Sequence, residues 1–149
     1  MSSGNVKHLS GNLLTAQETY IVHQCNCVTT TGKGLAQHIF NQFPDANVYR
    51  NSTQLRKPGN IEIRGKVVAM YAQNKPGKVS TQETSQQRHI WFQQCLQKLG
   101  DIMLKEHVTD VAFPYGIGCG LAGGNWSIYS RMIQDFAEEY NLQVSIYHL

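Results

Sequence analysis

The sequence predicts a three-layer α/β/α sandwich around a central mixed sheet. Three observations carry this. Strand-like and helix-like patterns alternate along almost all of the 149 residues. The run Val67-Val68-Ala69-Met70-Tyr71-Ala72 is apolar throughout, as expected of a strand covered on both faces. Three amphipathic stripes also bring their own start or stop signals.

In chain order, Val6–Leu9 and Tyr20–Cys25 read as the first two strands. Leu35, Ala36, Ile39, Phe40 and Phe43 then fall on one helical stripe, which Pro44 closes. Arg56–Asn60 is a Gly/Pro/Lys-rich joint, followed by strands at Asn60–Arg64 and Val67–Gln73 and a second joint at Asn74–Lys78. A Thr84/Ser85 cap opens the stripe Trp91, Cys95, Leu99, Ile102 and Met103. After a strand at Val108–Phe113, Asn125 caps a third stripe: Tyr129, Met132, Ile133, Phe136, Ala137 and Tyr140. Asn141 suits a left-handed stop, and Gln143–Leu149 reads as the last strand. Residues 1–149 show no repeat or linker, so one domain is expected.

Hydrophobic residues at 41% against 15% charged exclude a disordered chain. No apolar run approaches the roughly 20 residues of a membrane span. Met1-Ser2-Ser3-Gly4-Asn5 lacks the charged-then-apolar build of a secretory leader, so an intracellular protein, cytoplasmic or nuclear, is expected without a membrane partner. Cys25, Cys27, Cys95 and Cys119 are then expected as reduced thiols, and their spacing suits no zinc site. No metal and no cofactor is expected. The net charge of +3 is uneven, +5 over residues 1–75 and −2 over the rest, so an anionic ligand would meet the first half.

Open α/β sheets bind ligands at the carboxyl ends of their strands, and three strand exits here carry informative residues. The first is Ser10-Gly11-Asn12-Leu13-Leu14; the second runs from His23-Gln24-Cys25-Asn26-Cys27 to Thr31-Gly32-Lys33-Gly34-Leu35; the third is Pro114-Tyr115-Gly116-Ile117-Gly118-Cys119-Gly120-Leu121-Ala122-Gly123-Gly124. Glycines let the backbone approach an anion, and a helix N-terminus favours negative charge. Each loop alone reads more readily as an ordinary tight turn; two at neighbouring exits suit a ligand with two phosphates. Neither is a Walker A or dinucleotide fingerprint.

In this order, Gly11-Asn12-Leu13, His23 to Asn26, Gly32 to Ala36 and Pro114 to Gly120 resemble the motifs of a macro domain, the ADP-ribose-binding module. The resemblance covers nearly the whole chain. It looks closest to the branches containing the yeast-type ADP-ribose-1″-phosphate phosphatase, the terminal ADP-ribose glycohydrolase and the DNA-ADP-ribosyl glycohydrolase antitoxins. It implies a ligand site formed by Gly11, Asn12, Leu13, Asn26, Gly32, Lys33, Gly34, Leu35, Ala36, Pro114, Gly116, Ile117, Gly118, Cys119, Gly120, Leu121 and Tyr147. Asn12 stands where the family has the Asp that accepts the adenine amino group, Asn26 would contact the distal ribose, and Tyr147 would stack near adenine. Ala122 and Asn74 stand where the glycohydrolase branches carry Asp and Lys, which argues against a covalent lysine mechanism.

The expected function is ADP-ribose binding with hydrolysis of ADP-ribose-1″-phosphate or an ADP-ribosyl adduct. His23 would serve as acid/base and Asn26 would position the ribose. The alternative is a non-catalytic reader of ADP-ribose. A monomer is expected, with ADP-ribose or an ADP-ribosylated substrate as partner. Nucleic acid is the less favoured partner and would show salt-sensitive affinity. His8, His38, His89, His107 and His148 are expected away from the site.

Overall fold

The computed structural model describes residues 4–52 and 54–148. The leader reading at Met1–Ser3 and the Leu149 end of the last strand therefore lie outside the described residues. Six strands, β1 (Asn5–Ser10), β2 (Tyr20–Gln24), β3 (Ile61–Arg64), β4 (Val67–Met70), β5 (Asp110–Pro114) and β6 (Gln143–His148), form one sheet in the order β1-β6-β5-β2-β4-β3. All neighbours are parallel except β3 and β4, which pair antiparallel around the Gly65 turn. The expected mixed sheet is present, and the β1, β6, β5, β2 and β4 carboxyl ends point to one rim.

Strand parity divides the core in two. Val22, Val68, Met70, Val111, Phe113, Val144 and Ile146 face the long helices α3 (Ser85–Glu106) and α4 (Trp126–Tyr140). Ile21, Ala69, Tyr71 and Ala112 face the other layer, built by α1 (Leu35–Gln42) and the short α2 (Val48–Asn51). Helices cover both sheet faces, so β2 and β4 are buried at nearly every position. Fully burying each large apolar side chain contributes roughly 1.5–3 kcal/mol.

Local chemistry sets the helix ends. Thr84 caps α3 with a reciprocal bond to Gln87, and Asn125 caps α4 through Ser127 N–H. Asn141 ends α4 in the left-handed conformation at φ 54°. His107 does the same for α3 at φ 59°. Gly100 lets α3 lie against α4, since any Cβ there would press into the Tyr140 ring. Phe43 caps α1, and Pro44 opens a 3₁₀ turn rather than merely ending a helix. That turn, a second at Leu13–Thr15 and α2 are additions to the expected elements, each too short to show helical periodicity. The strand expected at Val108–Phe113 is shifted to Asp110–Pro114, because Val108 N–H still bonds to the α3 carbonyl of Met103.

Candidate functional site

The loops after β1, β2, β4 and β5 meet at the carboxyl rim, and their backbone donors are distributed unevenly. Gly34 precedes α1 with φ 57° and ψ −131°, and no side chain caps that helix. This backbone region belongs to glycine. The first-turn N–H groups of α1 thus lack the side-chain acceptor that Thr84 and Asn125 provide elsewhere. Across from it, the loop 115–124 folds through turns in which Ile117 donates to Pro114, Cys119 to Gly116, and Gly124 to Gly118. The N–H groups of Gly118, Gly120 and Leu121 donate to no protein acceptor among the described residues. The loops touch where the Leu121 side chain reaches Gly34, about where a Cβ would be 3.4 Å away.

Asn26 stands at the β2 exit, buried to 8% exposure. Its Oδ1 accepts from Val28 N–H at 3.0 Å, Thr29 N–H at 2.9 Å and Thr29 Oγ1 at 3.0 Å. That fixes the amide orientation and leaves Nδ2 without a protein partner among the described residues. Tyr49 and Arg56 support the turn: Asn26 N–H donates to the Tyr49 hydroxyl at 2.9 Å, and Arg56 Nη1 donates to the carbonyls of Asn26 at 3.3 Å and Thr29 at 2.9 Å. The Arg56 guanidinium lies 5.1 Å above the Tyr49 ring.

A cavity of about 530 Å³ opens at the β1 and β6 exits, lined by Ser10, Gly11, Asn12, Leu14, Leu35, His38 and His148. Asn12 caps the adjoining 3₁₀ turn through Leu14 N–H at 2.9 Å. His148 also bonds to His8, Nε2 to Nδ1 at 2.6 Å, and packs on the Tyr115 ring with centroids 4.2 Å apart. A second hollow of about 250 Å³ lies behind the loop 115–124 and includes Arg88, His89, Gly118 and Ala122.

The structure places the expected site residues unevenly with respect to the rim. His23 is 1% exposed, wedged between the Phe40 ring and the Cys25 thiol on the α1 face. Burial pushes its pKa down to about 4, so at neutral pH it is an uncharged imidazole enclosed in the core. Tyr147 does not line the cavity: its ring lies beneath Gly11 and its hydroxyl donates to Glu18 at 2.8 Å. His148, one residue later, lines the cavity instead, together with His38, against the expectation that both lie away from the site. Leu13, Ala36, Pro114 and Ile117 are buried, so only their backbone can serve a ligand. Gly32 is required by packing, since a Cβ would press the Phe40 ring at 2.8 Å. Lys33 is exposed at the rim, as is Gly120, and Gly116 takes φ 77°. The thiol of Cys119 is pushed up to about 11 by burial, which leaves it un-ionised at neutral pH.

His23 also makes a pH prediction. Its folded pKa lies below the unfolded 6.5, so the unfolded chain binds more protons between about 6.5 and 4. Stability is therefore full above pH 6.5 and falls as pH drops towards 4, by about 1.4 kcal/mol per pKa unit. Replacing it by His23→Leu should flatten the change in urea midpoint between pH 7 and pH 5. An unaltered slope would place the proton uptake elsewhere.

A buried ion pair that the sequence analysis did not identify holds the rim together. Glu83 accepts Asn74 N–H and Lys75 N–H, both at 3.0 Å, and pairs with Arg88 Nε at 2.8 Å. Arg88 also donates to the carbonyls of Gly77, Lys75 and Ala122. The β4 exit and the loop 115–124 are thus tied to the first turn of α3. Among the described residues, no three His, Cys, Asp or Glu side chains group to hold a metal ion, and no helix is long and apolar enough to cross a membrane.

No family model matches the chain. An uncharacterised 17.5 kDa protein of the tk-vs intergenic region of Enterobacteria phage T4 is 22% identical over 153 residues, covering 93% of this chain and 94% of its own. Among solved structures, the macrodomain of Mycobacterium tuberculosis DarG superposes with a TM-score of 0.77 at 19% identity, covering 98% of this chain and 99% of its own. Thermosipho africanus DarTG in complex with ADP-ribose gives 0.75 at 20% identity, over 96% of this chain and 41% of its own. A Trypanosoma brucei macrodomain in complex with ADP-ribose gives 0.69 at 12%, over 95% and 63%. The chain has the macrodomain fold.

Proposed function

We propose that this chain binds ADP-ribose, free or attached to a target, along the carboxyl rim of its sheet. The observation that carries the reading is the pairing of two donor sets: the uncapped N-terminus of α1 behind Gly34, and the unbonded N–H groups of Gly118, Gly120 and Leu121. Together they suit a diphosphate, which accepts at several oxygens and carries the charge a helix N-terminus favours. The cavity lined by Asn12, Leu14 and Leu35, the last of which opens α1 directly after Gly34, has ample room for a purine. At the β2 exit the outward Nδ2 of Asn26 can donate to a ribose hydroxyl. Two structures of the same fold carry ADP-ribose, which supports the assignment.

Binding without turnover is favoured over hydrolysis of ADP-ribose-1″-phosphate or an ADP-ribosyl adduct. The imidazole at the β2 exit is sealed in the core, and Ala122 offers no carboxylate. Calorimetry with ADP-ribose tests the proposal, with an expected Kd of about 1 μM, near −8 kcal/mol. Absence of heat or thermal shift at millimolar ADP-ribose would sink it. Release of phosphate from ADP-ribose-1″-phosphate by the same preparation would restore the hydrolase reading.

A further inference from the structure

The hollow behind the loop 115–124 collects hydrogen-bond donors, and no Asp or Glu is among its described lining residues. Both long helices begin beside it: Ser85 opens α3, and Asn125 caps α4. Helix N-termini favour negative charge. Asn125 Oδ1 is taken twice by Ser127, from its N–H at 3.0 Å and its hydroxyl at 2.9 Å, so Nδ2 is the group left to offer. His89 lines the hollow with its ring at 78° to that of Tyr129, and an imidazole presents an N–H in either tautomer. The Lys78 stem lies against Gly123 at the edge. Arg88 adds no donor, being spent on Glu83 and three carbonyls. Gln24 Oε1, an acceptor beneath Gly118, is not part of the lining.

Tyr129 is an independent sign of a ligand. It is 1% exposed and lines the hollow, with its ring beneath Gly118 and Gly124. Its hydroxyl makes no protein hydrogen bond among the described residues, whereas the other buried tyrosines, Tyr20, Tyr49 and Tyr71, all bond through theirs. A buried hydroxyl without a partner is costly, so such groups are rare. Burial pushes its pKa up to about 12, which keeps it a donor at neutral pH. We infer that this hollow binds a small oxyanion, a phosphate or sulfate group, with Tyr129, His89 and Asn125 as its side-chain donors. Its volume of about 250 Å³ lies below the roughly 300–1,000 Å³ of pockets for larger ligands, which suits an ion rather than a nucleotide. The site is distinct from the proposed ADP-ribose groove, since none of Asn26, Gly34, Gly120 and Leu121 lines it.

The test is a titration of the full chain with inorganic phosphate at constant ionic strength, followed by amide NMR, alone and with saturating ADP-ribose. The amides of Ser85, Gly123 and Gly124 should shift together with millimolar affinity, and should still do so with ADP-ribose present. Tyr129→Phe removes a hydroxyl that bonds to no protein group, so the variant should fold with an unchanged urea midpoint. It should bind phosphate about tenfold more weakly, the factor of one hydrogen bond to a charged group. Methyl phosphate titrated in parallel distinguishes the sources: equal affinity assigns the site to an esterified phosphoryl group as well, and its loss assigns the site to the free ion. Absence of shifts, shifts confined to Gly34 and Gly120 that ADP-ribose abolishes, or a Tyr129→Phe protein that binds phosphate as the wild type does, overturns the inference. A chain that binds phosphate in the hollow but does not bind ADP-ribose keeps this inference and overturns the functional reading instead.

Discussion

Arg88→Met should cost the fold about 3–5 kcal/mol, as breaking a buried pair from one side does elsewhere. Arg88 is 2% exposed, and its guanidinium serves one carboxylate and three backbone carbonyls. Methionine fills most of the volume but leaves Glu83 charged and buried without its partner. Lysine should rescue little, because a single ammonium cannot span the four acceptors that a planar fork reaches. The double variant Arg88→Met/Glu83→Gln should be no less stable than Arg88→Met alone, since it removes the stranded charge and keeps an acceptor for Asn74 or Lys75 N–H. Urea denaturation at pH 7 measures all three. A loss below about 1 kcal/mol for Arg88→Met would mean the clamp contributes little to stability.

The clamp also shows where sequence reading stops. Arg88 lies on the buried stripe of α3 with Phe92, Cys95 and Leu99. A charged residue on an apolar stripe signals a buried partner, and Glu83 five positions earlier was the available carboxylate. The regular elements were legible because their signals are local: the Thr84/Ser85 cap, Asn125, Asn141 and the apolar run from Val67. The glycine loops were legible for the same reason.

Side-chain direction at a strand exit was not. In a sheet covered on both faces, alternation carries no inside-or-outside message. His23 shares its parity with Ile21 and Cys25, which face α1, and lies one residue short of Gln24, where β2 ends. Only the packing of Phe40 against it shows that it belongs to the core. The same one-residue ambiguity exchanged Tyr147 for His148 at the cavity.

Gly120→Glu should weaken ADP-ribose binding about a hundredfold in a protein as stable as the wild type. The sequence points first to Gly118 for such a test, but Gly118 takes φ 76°, and a Cβ there would stand 3.0 Å from Gln24 Oε1 and from the Tyr129 ring. Any side chain at Gly118 therefore strains the backbone and the core together. Gly120 has no heavy atom within 4 Å of a Cβ and is exposed. Its substitution should change stability by no more than about 0.5 kcal/mol. Gly120 and Leu121 supply two of the unbonded N–H groups, so a glutamate there brings a carboxylate towards the proposed diphosphate. A unit charge about 6 Å away at an effective dielectric of about 20 costs roughly 3 kcal/mol, or a hundredfold in affinity. Gly120→Lys separates charge from bulk: it should keep most of the affinity if repulsion dominates and lose it equally if sterics dominate. A folded Gly120→Glu protein that binds ADP-ribose as the wild type does would move the diphosphate away from this loop.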